Sequence, residues 1–512
     1  MIFSIAILFS WCISHAYLLL PLLAILYSIY ARYGTGLSKY PGPFLASITD
    51  FYRLGYVCLY QKKLPEVALH EKYGDFVRFG PNLLLISDPR VIKDIYTGPD
   101  AMIKSEYYSV ADFHVKGVRH SAIFATRDQE WHSKLRRAFG PVFTMSAVAS
   151  LDTYVHETRD IFIGVLKDKF ADKSGAEGRV DLTKWFQYFA FDVLGQLLYG
   201  ERHGFVETGG DVGDIIKILD ILLAYGYFIG HVPWLDYLLH KNPIVVWLEK
   251  VGYIDSTFPV IPFAVKHLTS RAQREKKLSA EGEPTGDLLD RMMSLQGRHP
   301  EVLTDFEIVN MCAELVFAGS ETISATLSAL FYHLLKNPQT YRKLQAEVDT
   351  ALPTPSSHLP FAQAQTLPYL NACLKEIFRL HPASGFGFER VVPPSGKIIL
   401  GHFIPGGTIV SVNAWVVHRN KEIFGDDAAV WRPERWLEGE AKSREMEKYL
   451  FHFGAGMRGC IGRNIALLEI LEMVPSLMRT FEMELQDPHK EWTTSNMSVV
   501  KPRDCDIRLK KR

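Results

Sequence analysis

The sequence predicts one mainly α-helical domain with small β-sheets, carried behind a single N-terminal membrane helix. Three observations predict it. Apolar residues recur at helical spacing through 129–145, 150–170, 182–200, 258–278, 304–334, 338–351 and 366–380. Strand-like runs cluster around 396–412 and 498–509, with one earlier hairpin pattern in Phe76 to Ser87. The first 31 residues contain no Lys, Arg, Asp or Glu.

That front end, residues 1–31, reads as a membrane anchor. Ala16 to Tyr30 is almost wholly apolar, and Trp11, Tyr17, Tyr27 and Tyr30 suit the two interfaces. A cleaved signal peptide is the competing reading, but the basic leading segment and a small-residue cleavage site are missing. Arg32 and Lys39 follow the apolar stretch and no cation precedes it, so the positive-inside rule leaves the bulk of the chain in the cytosol. Residues 32–45 form a hinge in which Pro41-Gly42-Pro43 cannot propagate a helix. The remainder, 46–512, reads as a single domain.

Within it, two apolar runs around Gly80-Pro81-Asn82 read as a hairpin, followed by a helix over Val91 to Tyr96. The longest helical pattern, Phe306 to Leu334, carries one apolar stripe that Ala318-Gly319-Ser320-Glu321-Thr322 interrupts. Mid-helix glycine costs about 1 kcal/mol against alanine, so either a ligand approaches there or a second helix crosses closely. Leu278 to Thr285 reads as a solvated loop.

Composition narrows the function. The 512 residues are 47% hydrophobic and 22% charged with zero formal net charge, so no basic surplus points to nucleic acid. The six cysteines, Cys12, Cys58, Cys312, Cys373, Cys460 and Cys505, lack paired spacing, which fits a reducing compartment and excludes a CxxC metal site. The sequon Asn496-Met497-Ser498 matters only in a luminal chain.

One stretch carries chemistry. In FGAGMRGCIG, Phe453 to Gly462, Cys460 sits among glycines just before a helix beginning near Ile461. Helix-end amides lower a thiol from its free value of roughly 8.5 and favour the thiolate. With no second ligand at zinc spacing, a lone thiolate suits haem iron; a buried inert cysteine in a tight turn is the alternative.

Phe453, Gly456, Arg458, Cys460 and Gly462 stand at the spacing that resembles the haem-binding signature of the cytochrome P450 superfamily. Three further landmarks stand in order. Ala318 to Thr322 resembles the oxygen-activation segment of the family's central helix, Glu376-xx-Arg379 its salt-bridge helix, and Pro433-Glu434-Arg435-Trp436 the motif whose arginine completes a Glu-Arg-Arg triad. The likeness runs from the Pro-Gly-Pro hinge to the C-terminus. PGPFLASITDFYR, NAWVVHRNKEIFG and RPERWLEG are closest to the pisatin-demethylase-like group of fungal specialised metabolism.

The resemblance implies a haem-thiolate domain with the cytochrome P450 fold over 46–512, and a monooxygenase that inserts oxygen from O2 into a C–H bond of a small hydrophobic molecule. Cys460 would be the axial iron ligand, favouring O–O cleavage. Arg458, Arg390, Arg136 and His132 would face the haem propionates, and Phe453 would lie against the haem. Where families of this type place Trp-xxx-Arg, this chain has His132-Ser-Lys-Leu-Arg136 with Trp131 one place early, so His132 takes over the donor role. Thr322 with Glu321 would deliver protons and Gly319 would leave room for oxygen; the competing role for Thr322 is a hydroxyl bonded back into its own helix. Glu376, Arg379 and Arg435 would be structural.

Electrons would come from NADPH through a separate membrane-bound reductase, since no GxGxxG or flavin segment is written here. Lys134, Arg137, Lys442, Arg444, Lys448 and Arg463 are candidates to dock it, a solvated face being the alternative. The expected location is the endoplasmic reticulum membrane with the catalytic domain facing the cytosol. Substrate contacts are expected from Val110 to Phe124, Leu315 to Phe317, Ala383 to Phe388 and Thr494 to Met497, and the run 221–239 either dips into the bilayer or is a core helix. Two alternatives are a reductase-independent haem-thiolate isomerase or dehydratase, and a non-enzymatic haem sensor.

Overall fold

The computed structural model describes residues 16–60, 65–255, 259–278, 286–352 and 359–512. The first half of the expected anchor, with Trp11, and the expected loop beyond Leu278 lie outside the described residues. Helix α1 (Ala16–Ile29) is apolar with its side chains exposed, Leu18 and Leu23 among them, and ends in a π-helical turn, Tyr30–Gly34. The hinge after it is docked. Arg78, fully buried, donates from Nη1 to Arg32 O at 2.8 Å, and its backbone N–H donates to Pro41 O at 2.7 Å. A Cβ on Gly42 would stand 2.1 Å from Arg78 O, so only glycine fits that crossing.

The expected helices form with boundaries shifted by a few residues, as helix ends commonly are. Helices α2 (Phe51–Leu59) and α3 (Pro65–Tyr73) precede the first hairpin, α4 (Gln129–Phe139) is capped by Asp128, and α5 (Asp152–Lys169) packs on α6 (Leu182–Tyr199). The run expected at 221–239 is the second half of α7 (Ile215–Gly230) followed by a 3-10 turn, Pro233–Tyr237. Helix α8 (Asp305–Lys336) forms the spine, and α9 (Pro368–Leu380) and α10 (Arg463–Thr480) pack beside it.

The apolar stripe of α8 is interrupted at the exposed Ala318 without a break in the helix. The helix is continuous for 32 residues, and Gly319 abuts α6: an added Cβ would lie 2.8 Å from Leu194 Cδ1. A close helix crossing therefore explains the glycine, and Phe186 of α6 stacks on Phe331 of α8 at 5.6 Å along the same seam.

Five strands make the main sheet: β1 (Phe76–Gly80), β2 (Leu83–Ile86), β3 (Ile103–Lys104), β4 (Arg390–Val391) and β5 (Ile409–Ser411), in spatial order β1-β2-β5-β4-β3. Register puts Lys104 directly opposite Arg390. A C-terminal hairpin, β6 (Thr493–Met497) with β7 (Val499–Arg503), lies against α8 and α7.

Candidate active site

The cysteine loop is a series of turns that glycine permits. Gly454 and Gly456 have φ of 68° and 62°, and a Cβ on Gly456 would stand 2.2 Å from Tyr96 O. Cys460 N–H donates to Phe453 O at 2.7 Å and Gly459 N–H to Gly456 O at 3.1 Å, which leaves the Cys460 side chain exposed at the mouth of α10. Phe453 rests against Phe378 of α9, with ring centroids 5.3 Å apart.

Although solvent reaches it, the protein atoms crowding the Cys460 thiol raise it above its ordinary value, opposed by the amides of Gly462 and Arg463 and by the charges of Arg136 and Arg463. The helix-end amides expected to favour thiolate do face the sulfur and pull in that direction. Among the described residues no group of three His, Cys, Asp or Glu side chains is placed to hold a metal ion, so Cys460 is not part of a multi-residue metal cluster.

Around this loop four cations and a histidine converge. Arg136 of α4 donates to Gly459 O at 2.5 Å. Arg458 donates to Thr126 O at 2.8 Å and to Gln129 Oε1 at 2.9 Å. Arg390 donates to Glu389 O at 2.8 Å and lies over the Tyr96 ring at 4.8 Å. Lys104, a residue the sequence reading missed, lies 4.1 Å from the ring centres of both Tyr108 and Phe124 and donates to Phe124 O. His132 is buried with Nδ1 unpartnered.

These bonds run to neutral oxygens, and among the described residues none of the four cations is in an ion pair. Burial, then Arg458 and Lys104, pushes His132 down to about 3; burial, then Arg390 and Arg458, holds Lys104 well below its ordinary value. Like charges directly opposite in a sheet, as Lys104 and Arg390 are, destabilise it unless an anion lies between them. An exposed thiol beside an uncompensated cationic cradle fits a group that joins a metal to carboxylates, as haem does.

The distal side is built on α8. Ala318 is exposed and Thr322 half-buried on a helix that is otherwise mostly core. Thr322 Oγ1 lies 3.0 Å from Ala318 O and 3.4 Å from Gly319 O, so its hydroxyl bonds back into the helix. Glu321 points elsewhere. Its carboxylate takes Lys501 of β7 at 2.5 Å and a hydrogen bond from Gln187 of α6, while burial raises its proton affinity. Glu314, about two turns earlier and also missed, accepts the N–H groups of Ile123 at 2.6 Å and Phe124 at 3.2 Å, tying the 110–124 segment to α8.

Behind the loop lies a buried ion triad. Glu376 meets Arg379 at 2.8 Å and Arg435 at 3.0 Å, and also accepts Trp436 Nε1 at 2.9 Å and Arg432 N at 2.9 Å. All three charged groups are fully buried, and Arg379 Nη1 donates to His418 O at 2.9 Å.

The comparisons decide the family. A family model described as cytochrome P450 matches residues 47–507. The chain belongs to the cytochrome P450 family. It is 38% identical over 479 residues, 93% of this chain and 94% of the relative, to cytochrome P450 monooxygenase cicH of Emericella nidulans. It is 34% identical over 503 residues, 96% of each chain, to cytochrome P450 monooxygenase pkfB of the same organism, and 32% identical over 483 residues, 92% of each, to cytochrome P450 monooxygenase asR2 of Sarocladium schorii. This P450 is thus an oxidoreductase of the monooxygenase class, whose family chemistry uses haem iron, O2, a substrate and a redox partner.

The expected docking face of this P450 is largely self-neutralised. Lys134 pairs with Glu130 at 2.7 Å, Lys442 with Glu438 at 2.6 Å, Lys448 with Glu445 at 2.5 Å, and Arg444 with Glu440, all within one helical turn. That is a solvated face with local partners, and the reductase expectation gains nothing from it.

Proposed function

We propose that this chain is a membrane-anchored P450 that oxidises a small hydrophobic molecule in fungal specialised metabolism, with NADPH electrons delivered by a separate reductase. The cationic cradle beside Cys460, which holds no carboxylate partner among the described residues, carries the reading. Cys460 would bind haem iron; Lys104, Arg136, Arg390, Arg458 and His132 would receive the propionates, and Phe453 would pack against the ring. When bound, the haem supplies activation of O2 for insertion into a C–H bond.

The chain's own residues then hold and protect. The cradle orients the carboxylates through charge-assisted bonds. Thr322 presents a hydroxyl on the open face of α8, and Glu321, next to it in the chain but held toward Lys501, supplies the acid. Gly319 keeps α8 pressed on α6, so the Ala318–Thr322 turn stays fixed. Glu376, Arg379 and Arg435 form the frame behind the loop.

A hydrophobic substrate is supported by the apolar or small character of the expected contacts Leu315 to Phe317 on α8 and Ala383 to Phe388. Exposed Ile221, Trp234, Leu238, Ile244 and Trp247 form an apolar surface, and Trp234 touches Phe51 edge-on at 5.7 Å, on the side where the anchor enters. That surface and α1 support a bilayer-seated enzyme with its catalytic domain in the cytosol at the endoplasmic reticulum, and buried Asn496 agrees with a sequon that is not used. The test is a substrate screen in microsomes with reductase, NADPH and 18O2. Product carrying one labelled oxygen supports the proposal; turnover without reductase, or oxygen drawn from water, contradicts it and favours the isomerase or dehydratase reading.

A further inference from the structure

Helix α7, hairpin β6–β7 and α8 meet in a polar junction that runs from solvent inward. Asp220, Leu223 and Tyr227 share one face of α7. Each meets the hairpin: Leu223 O accepts Ser498 Oγ at 3.3 Å, Tyr227 Oη takes Asn496 Nδ2 at 3.2 Å, and Asp220 pairs with Lys501. Lys501 has a second partner, Glu321, at 2.5 Å. Exposure falls along this row, from 43% for the Asp220 side chain to 9% for Lys501 and 2% for Glu321.

One ammonium thus serves two carboxylates, one at the solvent and one inside. A proton taken up by Asp220 leaves Lys501 wholly to Glu321, and a proton taken up by Glu321 leaves Lys501 to Asp220. Without Lys501, Glu321 would be a buried uncompensated charge and would hold its proton. We propose that Lys501 is the positioning residue of Glu321, a cation shared with Asp220 through which the seating of α7 on the hairpin sets when the acid beside Thr322 takes up and releases a proton.

This rests on the reading above, in which Glu321 and Thr322 supply protons to a monooxygenase. Glu321 is faced by Lys501 and Arg503 from the hairpin, Asp220 from α7 and Gln187 from α6. Full-length holoenzyme is compared with Lys501→Met, Lys501→Arg and Asp220→Asn, each also made with Glu321→Gln for infrared difference spectra. In Lys501→Met at neutral pH, Glu321 should show the C=O stretch of a neutral carboxylic acid, and the share of reducing equivalents lost as peroxide should rise about tenfold. Lys501→Arg keeps the charge and should show neither change beyond about twofold. Asp220→Asn, altered at a half-exposed side chain, should keep Glu321 ionised and move the pH dependence of coupling to lower pH. Lys501→Met without the acid band, or Asp220→Asn with an unmoved profile, overturns the proposal. A wild-type holoenzyme lacking a thiolate-type ferrous-carbonyl spectrum would instead overturn the monooxygenase site and leave the infrared result standing.

Discussion

The backbone N–H of Phe451 donates to His418 Nε2 at 2.7 Å, and His418 Nδ1 lies 3.0 Å from Arg379 O. Because Nε2 accepts, Nδ1 carries the proton and donates, so the neighbours fix the tautomer. Burial first, then His452 and Arg379, holds His418 well below its ordinary value, keeping the ring neutral. The imidazole is therefore a rigid strut between the buried triad and the start of the cysteine loop.

Replacing it should loosen the loop without unfolding the domain. His418→Phe leaves Phe451 N–H and Arg379 O without their partner, a loss of about 1 to 3 kcal/mol. The measurement is haem retention after gel filtration alongside thermal unfolding. Faster haem loss with a modest Tm drop is expected.

Breaking the triad is harsher. Glu376→Gln removes a charge shared by two fully buried arginines, and stranding buried charges costs about 3 to 5 kcal/mol. Denaturant unfolding should show that loss, and a double change of Glu376 and Arg435 should cost less than the sum of the singles.

Lys104→Met separates the cradle's two roles. Removing one of several mutually repelling cations should stabilise haem-free protein while weakening haem retention, because the cradle gives up unfavourable charge only when carboxylates arrive. Equal effects of one sign on both states would refute the cradle.

Glu314 should give stability a pH slope. Burial, against the bonds from Ile123 and Phe124, pushes its carboxyl up to about 7. In the unfolded chain it titrates at roughly 4.3, so the native state holds more protons between the two values. Its contribution is full below the lower value, is lost as pH rises toward about 7, and totals on the order of 3 kcal/mol. Glu314→Gln should flatten the unfolding free energy over that window; parallel curves would contradict this.

The sequence showed most of this frame because long amphipathic periods and an ordered set of local motifs survive reading one residue at a time. Cys460, Arg458, Glu376 and Arg379 lie in such motifs. Lys104 does not. It belongs to a two-residue strand whose meaning comes from Arg390, far along the chain, through sheet register. Glu314 and Lys501 were missed for the same reason, since each acts on a segment remote in sequence. Gly319 stayed open in another way: glycine in a helix signals a close approach, and only the packing shows that Leu194 makes it.

The most direct test of a haem-thiolate site at Cys460 is the ferrous-carbonyl difference spectrum of the full-length protein in microsomes, beside Cys460→Ala. The account predicts a strongly red-shifted Soret band for the wild type and its absence in the variant. A folded wild type without haem, or a variant that keeps the same band, would contradict it.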